Sequence, residues 1–502
     1  MKRIISILLC TVVIFGAFVS CAEGTADETE PAAVSSVDVS TEEDPVETEN
    51  PDYKDDLPEL NYNDAEIKIV SSDREWYKNE VWVEGITGET VNDAVYARNA
   101  AVEERLGVKF NNIQIAYNND NGSLVTAIEK AYNSGDKLYD IGFANSYRVC
   151  MATTKGLFVD LNTVENIDLS KKYWMQNYNE TISFHGAQFS ATGSISLSTM
   201  RFAFATFINK NMFDSHGVEY PYQTVLDGKW TLDYFLTLLP VFYEDTDGSQ
   251  TATDGDVYSW IANDYIGVDP FWVGCEIPIL TKNADGDYEY SVDTAKLSDV
   301  VDKLLALYKS EGTRNFAHTS SDAEQAEMSK AFAEGKGAMG SFRLIEAESD
   351  AMRSMTDKYG IVPMPKYNEE QQEYHTHVHD QYTVATVMAT TDEADRPMLG
   401  AVLEAMACQS YKTTVPAYYE ITLKYKYSSD PESWDMLDIV INNVDCDAGN
   451  LYYSSIGAPH DGLRSIMQSR NNTVASIYKT YSKAVPKQVK TLNENLHSLI
   501  GK

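Results

Sequence analysis

The sequence predicts an α/β protein of two lobes, and three observations carry the prediction. Short β-like runs alternate with stretches of helical periodicity along most of the chain. One such block spans residues 65–146, and a second begins near Arg201. The chain has 502 residues, and a single core rarely serves more than roughly 250–300, so the length calls for two.

In the first block AEIKIVSS (65–72) reads as a strand, NDAVYARNAAVEERLG (92–107) as a helix stopped by Gly107, and VKFNNIQI (108–115) as the next strand. SLVTAIEKAYNSG (123–135) is another helix with a glycine stop, and YDIGFANS (139–146) a strand ending in small polar residues. This βαβαβ order implies a parallel sheet, which places ligands beyond the carboxyl ends of its strands.

RFAFATFINKNMF (201–213) opens the second block. WTLDYFLTLLPVFYE (230–244) is an amphipathic helix capped by Thr231, and residues 297–312 and 322–337 are further helices. GAMGSF (337–342) and YGIVPMP (359–365) read as strand and strand-turn. YTVATVMATT (382–391) is a strand by its β-branched content, and RPMLGAVLEAMACQSY (396–411) a helix.

The chain begins with Lys2 and Arg3, an apolar run from Ile4 to Val19, then Ser20 and Cys21. That pattern is a secretory signal, shorter than the roughly 20 apolar residues of a membrane span. Residues 22–58 hold 13 acidic side chains and one lysine. Such a segment buries too little apolar surface to offset its ordering entropy, so it is expected to be a disordered tether. The formal net charge of −36 repels phosphate backbones and anionic head groups, which excludes nucleic acid and direct adhesion to lipid as partners.

Cys150, Cys275, Cys408 and Cys446 are spaced too widely and irregularly for a zinc or thioredoxin motif, and isolated buried thiols are expected. DTDGSQTATDGD (245–256) lacks the sixth-position glycine and twelfth-position glutamate of a calcium loop. It reads as a solvated acidic loop, and KNADGDY (282–288) as a hairpin turn. No GxSxG, HExxH, P-loop or dinucleotide fingerprint occurs, so no reaction, cofactor or metal is implied.

Three of the eight histidines fall in EYHTHVHDQY, residues 373–382. On a strand, residues i and i+2 share a face about 6.8 Å apart and i+4 lies about 13.6 Å away, so at most two of these imidazoles converge on one ion. Asp380 points to the opposite face.

The order of YDIGFA (139–144), GLFVDLN (156–162), FINKNMFDSHGVEYPYQT (207–224), WTLDYF (230–235), FAEGKGAMGSF (332–342), YGIVPMP (359–365) and the strand-helix 384–407 resembles the solute-binding proteins of ABC importers. The likeness is to their carbohydrate-binding group, which includes maltose-binding protein. FVSC (18–21) resembles a lipobox, with Phe18 in place of the usual leucine, so Cys21 would be lipidated as in the Gram-positive form.

The resemblance implies a type II periplasmic-binding-protein (Venus flytrap) fold with crossing strands between its lobes. Residues 1–20 would be the lipoprotein signal and 21–60 the tether. Residues 61–200 with 381–430 would form lobe 1, and 201–380 with 431–502 lobe 2. It implies a lipid-anchored, monomeric extracellular receptor that captures an oligosaccharide and passes it to permease subunits. A peptide or polar-metabolite receptor of the same fold, or a surface glycan-binding protein without a transport role, stays open.

Sugars are held by aromatic faces and planar polar groups, so these are sought just past strand ends. Trp76, in SSDREWY after the first strand, is a stacking candidate or a core aromatic. By the resemblance, Asn145 and Ser146 present polar groups to ligand or are plain loop polarity, and Arg201 at the first crossing faces the cleft or pairs with a carboxylate. Trp272 is the foremost stacking candidate, with a core role as the alternative, and Arg343 ends the strand that delivers an aromatic to the cleft. His379 and Asp380 would border ligand at the return crossing, with His375 and His377 toward solvent or hinge.

Overall fold

The computed structural model describes residues 54–118, 122–419, 423 and 431–501. The predicted signal, Cys21 and most of the tether lie outside the described residues.

Strands β1 (Ala65–Ser72), β2 (Val108–Ile115) and β3 (Ile141–Asn145) form where the first block predicts them. β1 pairs in parallel with β2 from Ala65↔Val108 to Ser72↔Ile115, and with β3 through Ile69↔Ile141. The intervening helices Thr90–Leu106 and Ser123–Ser134 end at Gly107 and Gly135, with φ of 60° and 74°. Glycine enters that left-handed region without steric cost, which is why both helices stop there.

Seven strands follow: β4 (Phe204–Asn209), β5 (Tyr258–Asn263), β6 (Leu280–Lys282), β7 (Tyr288–Tyr290), β8 (Thr313–Ala317), β9 (Gly337–Arg343) and β10 (Tyr359–Val362). Five of them make a second sheet in the order β10-β4-β9-β5-β8, while β6 and β7 form the hairpin that KNADGDY predicts. Every residue of β3, β4, β5 and β9 is buried. Strands covered on both faces read as near-continuous apolar runs, as FATFIN does.

Local chemistry sets the helix starts. The Asn209 side chain accepts from the Met212 N–H at 3.1 Å, and Thr231 Oγ1 accepts from the Tyr234 N–H at 3.2 Å. The helix that begins after Thr231 spans Leu232–Leu238, shorter than the expected 230–244. Pro240 has no N–H for the ladder and clashes with the preceding turn, so the helix ends before it.

The last strands are β11 (Thr376–His377), β12 (Thr383–Val387) and β13 (Val444–Asp445). β12 rejoins the first sheet antiparallel to β3, giving the order β12-β3-β1-β2, and the helix Arg396–Lys412 packs on Thr90–Leu106. Three segments run side by side between the sheets. Ala203 and Val378 form an antiparallel bridge, the His379 N–H donates to Phe202 O at 3.0 Å, and β11 pairs in parallel with β13. The helices Asp461–Ser469 and Val474–His497 close the chain against Thr294–Lys309.

Cys150 and Cys275 are buried free thiols, Cys408 is buried, and Cys446 is half-buried and free. Burial pushes the Cys150 and Cys275 thiols up to about 12. Expectation fails in one part of the acidic loop. Asp256 is fully buried and closes the loop by accepting from the N–H groups of Thr246 (3.1 Å) and Thr253 (2.7 Å). Among the described residues no helix is long and apolar enough to cross a membrane.

Candidate binding site between the sheets

Beyond the carboxyl end of β1 the chain turns through Asp73 and Arg74. Arg74 is 8% exposed, and its guanidinium lies 3.9 Å from the Trp76 ring centre and 4.5 Å from that of Tyr117, which follows β2. Its nitrogens donate to Gln381 Oε1 at 2.8 Å and to the Asp322 carboxylate at 3.3 Å. Gln381 stands at the return crossing, and Asp322 opens a helix that packs on β9 of the second sheet. One side chain thus links the segment that follows β1 to the helix that follows β8.

A second guanidinium reaches the same indole from the other sheet. Arg343 ends β9, lies 4.6 Å from the Trp76 ring centre, and donates to Glu346 at 2.5 and 3.2 Å while 3% exposed. Cation–π contact of this kind contributes about 0.5–2 kcal/mol, more as water is excluded. The edge of Trp76 meets Phe202 at 5.6 Å, so the first crossing holds the indole in place.

Arg201 donates to the Trp76 carbonyl at 3.1 Å and forms a two-bond pair with Glu348 at 2.9 and 2.5 Å. Burial works against its charge, yet the Glu348 carboxylate holds its pKa above the usual range. Together they line a polar cavity of about 210 Å³, whose wall also includes Glu75, Asn79, Arg353 and Tyr418. A larger hollow of about 420 Å³ is lined mainly by aromatic and apolar groups such as Trp174, Met200 and Tyr419. None of its lining residues follows the carboxyl end of a strand in either large sheet, whereas the polar seam lies beyond β1 and β9, which makes the seam the better candidate.

The histidines of the return crossing differ among themselves. His375 is partly exposed, with Glu276 and Asp445 each 3.3 Å away, and its bond to Asp445 raises its pKa. His377 is 5% exposed and stacked on Phe204 at 5.9 Å; burial lowers it to about 3. His379 is 4% exposed between Phe202 and Phe204, and burial, with the Arg343 charge next, holds it far below the usual imidazole value. The Nδ1 atoms of His377 and His379 are buried without a hydrogen-bond partner, as is that of His460. No three metal-ligating groups gather at this stretch among the described residues.

Asp380 completes the crossing. Burial pushes its carboxyl up to about 7 against the pull of Arg464. Arg464 is itself paired with Asp269 at 2.9 and 2.5 Å and lies 4.5 Å from the Tyr265 ring centre, just past β5. Tyr147, in the helix that follows β3, stacks on Tyr453 at 5.5 Å beside His460.

The structure therefore brings together Trp76, Arg201, Arg343 and His379 of the residues that the sequence singles out, while Asp380 faces Arg464 instead. It turns three others inward. Trp272 is 1% exposed and packs on Tyr478 in the core, because the short helix Pro270–Gly274 that carries it is wholly buried. Asn145 donates to Tyr77 Oη and to Gln381 O, and Ser146 to Asp380 O, so both side chains tie the crossing to β3. Of the two places expected for His377, solvent or hinge, the structure excludes solvent: the residue is buried within the crossing strand β11.

Sequence reasoning missed the part played by Arg74, Tyr117, Gln381, Asp322, Glu348 and Arg464. Arg74 and Tyr117 each follow a predicted strand, which is a usable signal. Asp322 and Arg464 meet partners 248 and 195 residues away, and nothing local marks them.

No family model and no curated protein matches the chain. Solved structures do match. A sugar transporter from Rhizobium etli in an open conformation has a TM-score of 0.54 at 15% identity, over 86% of this chain and 99% of that one. A solute-binding protein from Thermotoga lettingae bound with α-D-tagatose has 0.54 at 15%, over 85% and 100%. A transporter-associated binding protein from B. animalis subsp. lactis in complex with β-1,6-galactobiose has 0.53 at 13%, over 86% and 99%. The likeness is one of fold. The chain has the two-lobed α/β fold of periplasmic binding proteins, with its crossing segments between the sheets.

Proposed function

We propose that the protein is an extracellular solute-binding receptor of an ABC importer, and that its ligand is a neutral oligosaccharide held at the seam around Trp76. The observation that carries this reading is the pairing of charges there. Arg74 has Asp322, Arg201 has Glu348, Arg343 has Glu346, and Arg464 has Asp269. A ligand carboxylate would have to displace one of these partners, whereas sugar hydroxyls bond to the remaining donor and acceptor positions of both. That favours a polyol over a peptide or an acidic metabolite. Proteins of this fold described as bound to tagatose and galactobiose agree with the reading.

In this reading the lobes are 61–200 with 381–430 and 201–380 with 431–502. Ligand contacts made only in the closed form shift the open–closed equilibrium, and the closed shape is what permease subunits take up. Cys21 carries the lipid that anchors the receptor outside the cell membrane, and no reaction is catalysed. Calorimetric titration with a panel of neutral oligosaccharides and of peptides tests the ligand class. Micromolar binding of a glycan, with a smaller radius of gyration in small-angle scattering, is the expected result; binding of peptides alone would overturn it.

A further inference from the structure

A second polar cluster lies apart from this seam, where three separate segments meet. His185 Nε2 lies 2.8 Å and His497 Nε2 2.7 Å from the same oxygen, Asp287 Oδ1. The three ligand atoms all fall within 4.8 Å of one another. His185 belongs to a tight turn closed by the Phe184–Ala187 bridge, Asp287 to the β6–β7 turn, and His497 ends the helix Val474–His497.

Each segment is fixed independently of the cluster. His185 has a φ of 50°, a left-handed conformation uncommon for a side chain of its size, held by the turn around it. The Asp287 N–H donates to Asn283 Oδ1 at 3.1 Å across the hairpin turn. Asn493 grips β7 with both ends of its amide, donating to Tyr288 O at 2.9 Å and accepting from Tyr288 N at 3.2 Å. One helical turn later the same face carries His497 to Asp287. Phe184, 1% exposed, meets the His185 ring at 4.7 Å and the His497 ring at 4.9 Å, both nearly edge-on, and so orients the two imidazoles from below.

We propose that His185, Asp287 and His497 form a binding site for a borderline divalent transition ion of the zinc class, with water as the fourth ligand. Two imidazole nitrogens and one carboxylate oxygen are a donor set such ions prefer, and the cluster is open on its solvent side. In a tetrahedral site with bonds of about 2.0–2.1 Å, ligand atoms stand roughly 3.3 Å apart, so each ring retreats by about half an ångström. Each imidazole then presents its Nε2 lone pair to the ion and carries its proton on Nδ1, while Asp287 stays anionic.

Such an ion would fasten the 184–187 turn to the β6–β7 hairpin and the last helix. The helix Gln176–Ile182, just before that turn, already touches the hairpin through Tyr288 Oη, which donates to Thr181 O at 2.8 Å, and through Lys282, which donates to Glu180 O.

The test is calorimetric titration of the purified full-length protein with Zn²⁺, followed by His185→Gln, His497→Gln and, as a control elsewhere, His375→Gln. All three side chains are at least partly exposed, and circular dichroism checks that each variant is folded. One Zn²⁺ per chain is expected, weakened at least tenfold in each of the first two variants and unchanged in His375→Gln. Substitution by Co²⁺ is expected to give the visible absorption of a tetrahedral site in the unaltered protein. Absence of stoichiometric Zn²⁺ binding, or binding retained in the His185→Gln/His497→Gln double variant, overturns the proposal. Glycan binding by His185→Gln and His497→Gln reads separately, because neither residue lies at the seam.

Discussion

The Arg74 guanidinium lies 3.3 Å from the Asp322 carboxylate, so the residue just past β1 touches the first residue of a helix from the second sheet's side. Asp322 is half exposed, and such pairs contribute about 0.2–1 kcal/mol. Asp322→Ala is therefore expected to weaken glycan binding by about twofold to fivefold and to enlarge the unliganded protein slightly in small-angle scattering. Arg74→Ala also loses its stacking on Trp76 and Tyr117, and a tenfold or larger loss of affinity is expected by calorimetry.

Trp76 and Trp272 separate binding from stability. Trp76→Ala is expected to lower glycan affinity at least tenfold with a modest change in unfolding. Trp272→Ala removes a fully buried indole and should cost about 3–5 kcal/mol in urea denaturation. Equal loss of stability in the two variants would show that Trp76 is a core residue and not a ligand contact.

Arg343 and Glu346 form a buried pair, 3% and 8% exposed. Removing one partner strands the other's charge, so Glu346→Ala is expected to cost about 3–5 kcal/mol. The double exchange Arg343→Met/Glu346→Leu should recover much of that stability while glycan affinity stays low. Chemical denaturation and calorimetry on both proteins check the two halves of this statement.

Stability should respond to pH in two opposite ways. Burial raises Asp380 to about 7, and does the same to Glu404, which lies in the helix Arg396–Lys412 and accepts from Trp174 Nε1 at 3.0 Å; both stand above their unfolded values, so folding gains stability as pH falls through 7 toward 4. Burial lowers His377 to about 3, so its contribution is complete above pH 6.5 and is lost as pH falls from 6.5 toward 3. Within that window one such imidazole costs about 1.4 kcal/mol per pH unit. His377→Phe is expected to lose stability less steeply below pH 6.5 by that amount, measured as urea unfolding at a series of pH values.

Much of the fold was legible because periodicity and punctuation are local. AEIKIVSS and VKFNNIQI form strands with the expected bounds, and glycines end the helices before them or after them as the pattern demands. The seam was legible only in part. Residues after strands, such as Trp76 and Arg343, announce themselves by position, but burial of a whole short helix around Trp272 is a tertiary fact. The stretch HTHVHD shows the same limit: strand geometry ruled out a three-histidine metal site, yet only the packing of Phe204 explains why His377 is a core residue.

The side-by-side passage of three segments between the sheets has a consequence for the order of assembly. β12 completes the first sheet against β3 only after the whole second sheet has been made, with Thr386 bonding to Gly142 across 244 residues. Residues near the amino terminus of the folded part must therefore wait for chain that emerges much later. Contacts of such sequence separation slow folding. A chain synthesised from its amino end cannot finish its first half before its second, and both halves mature together.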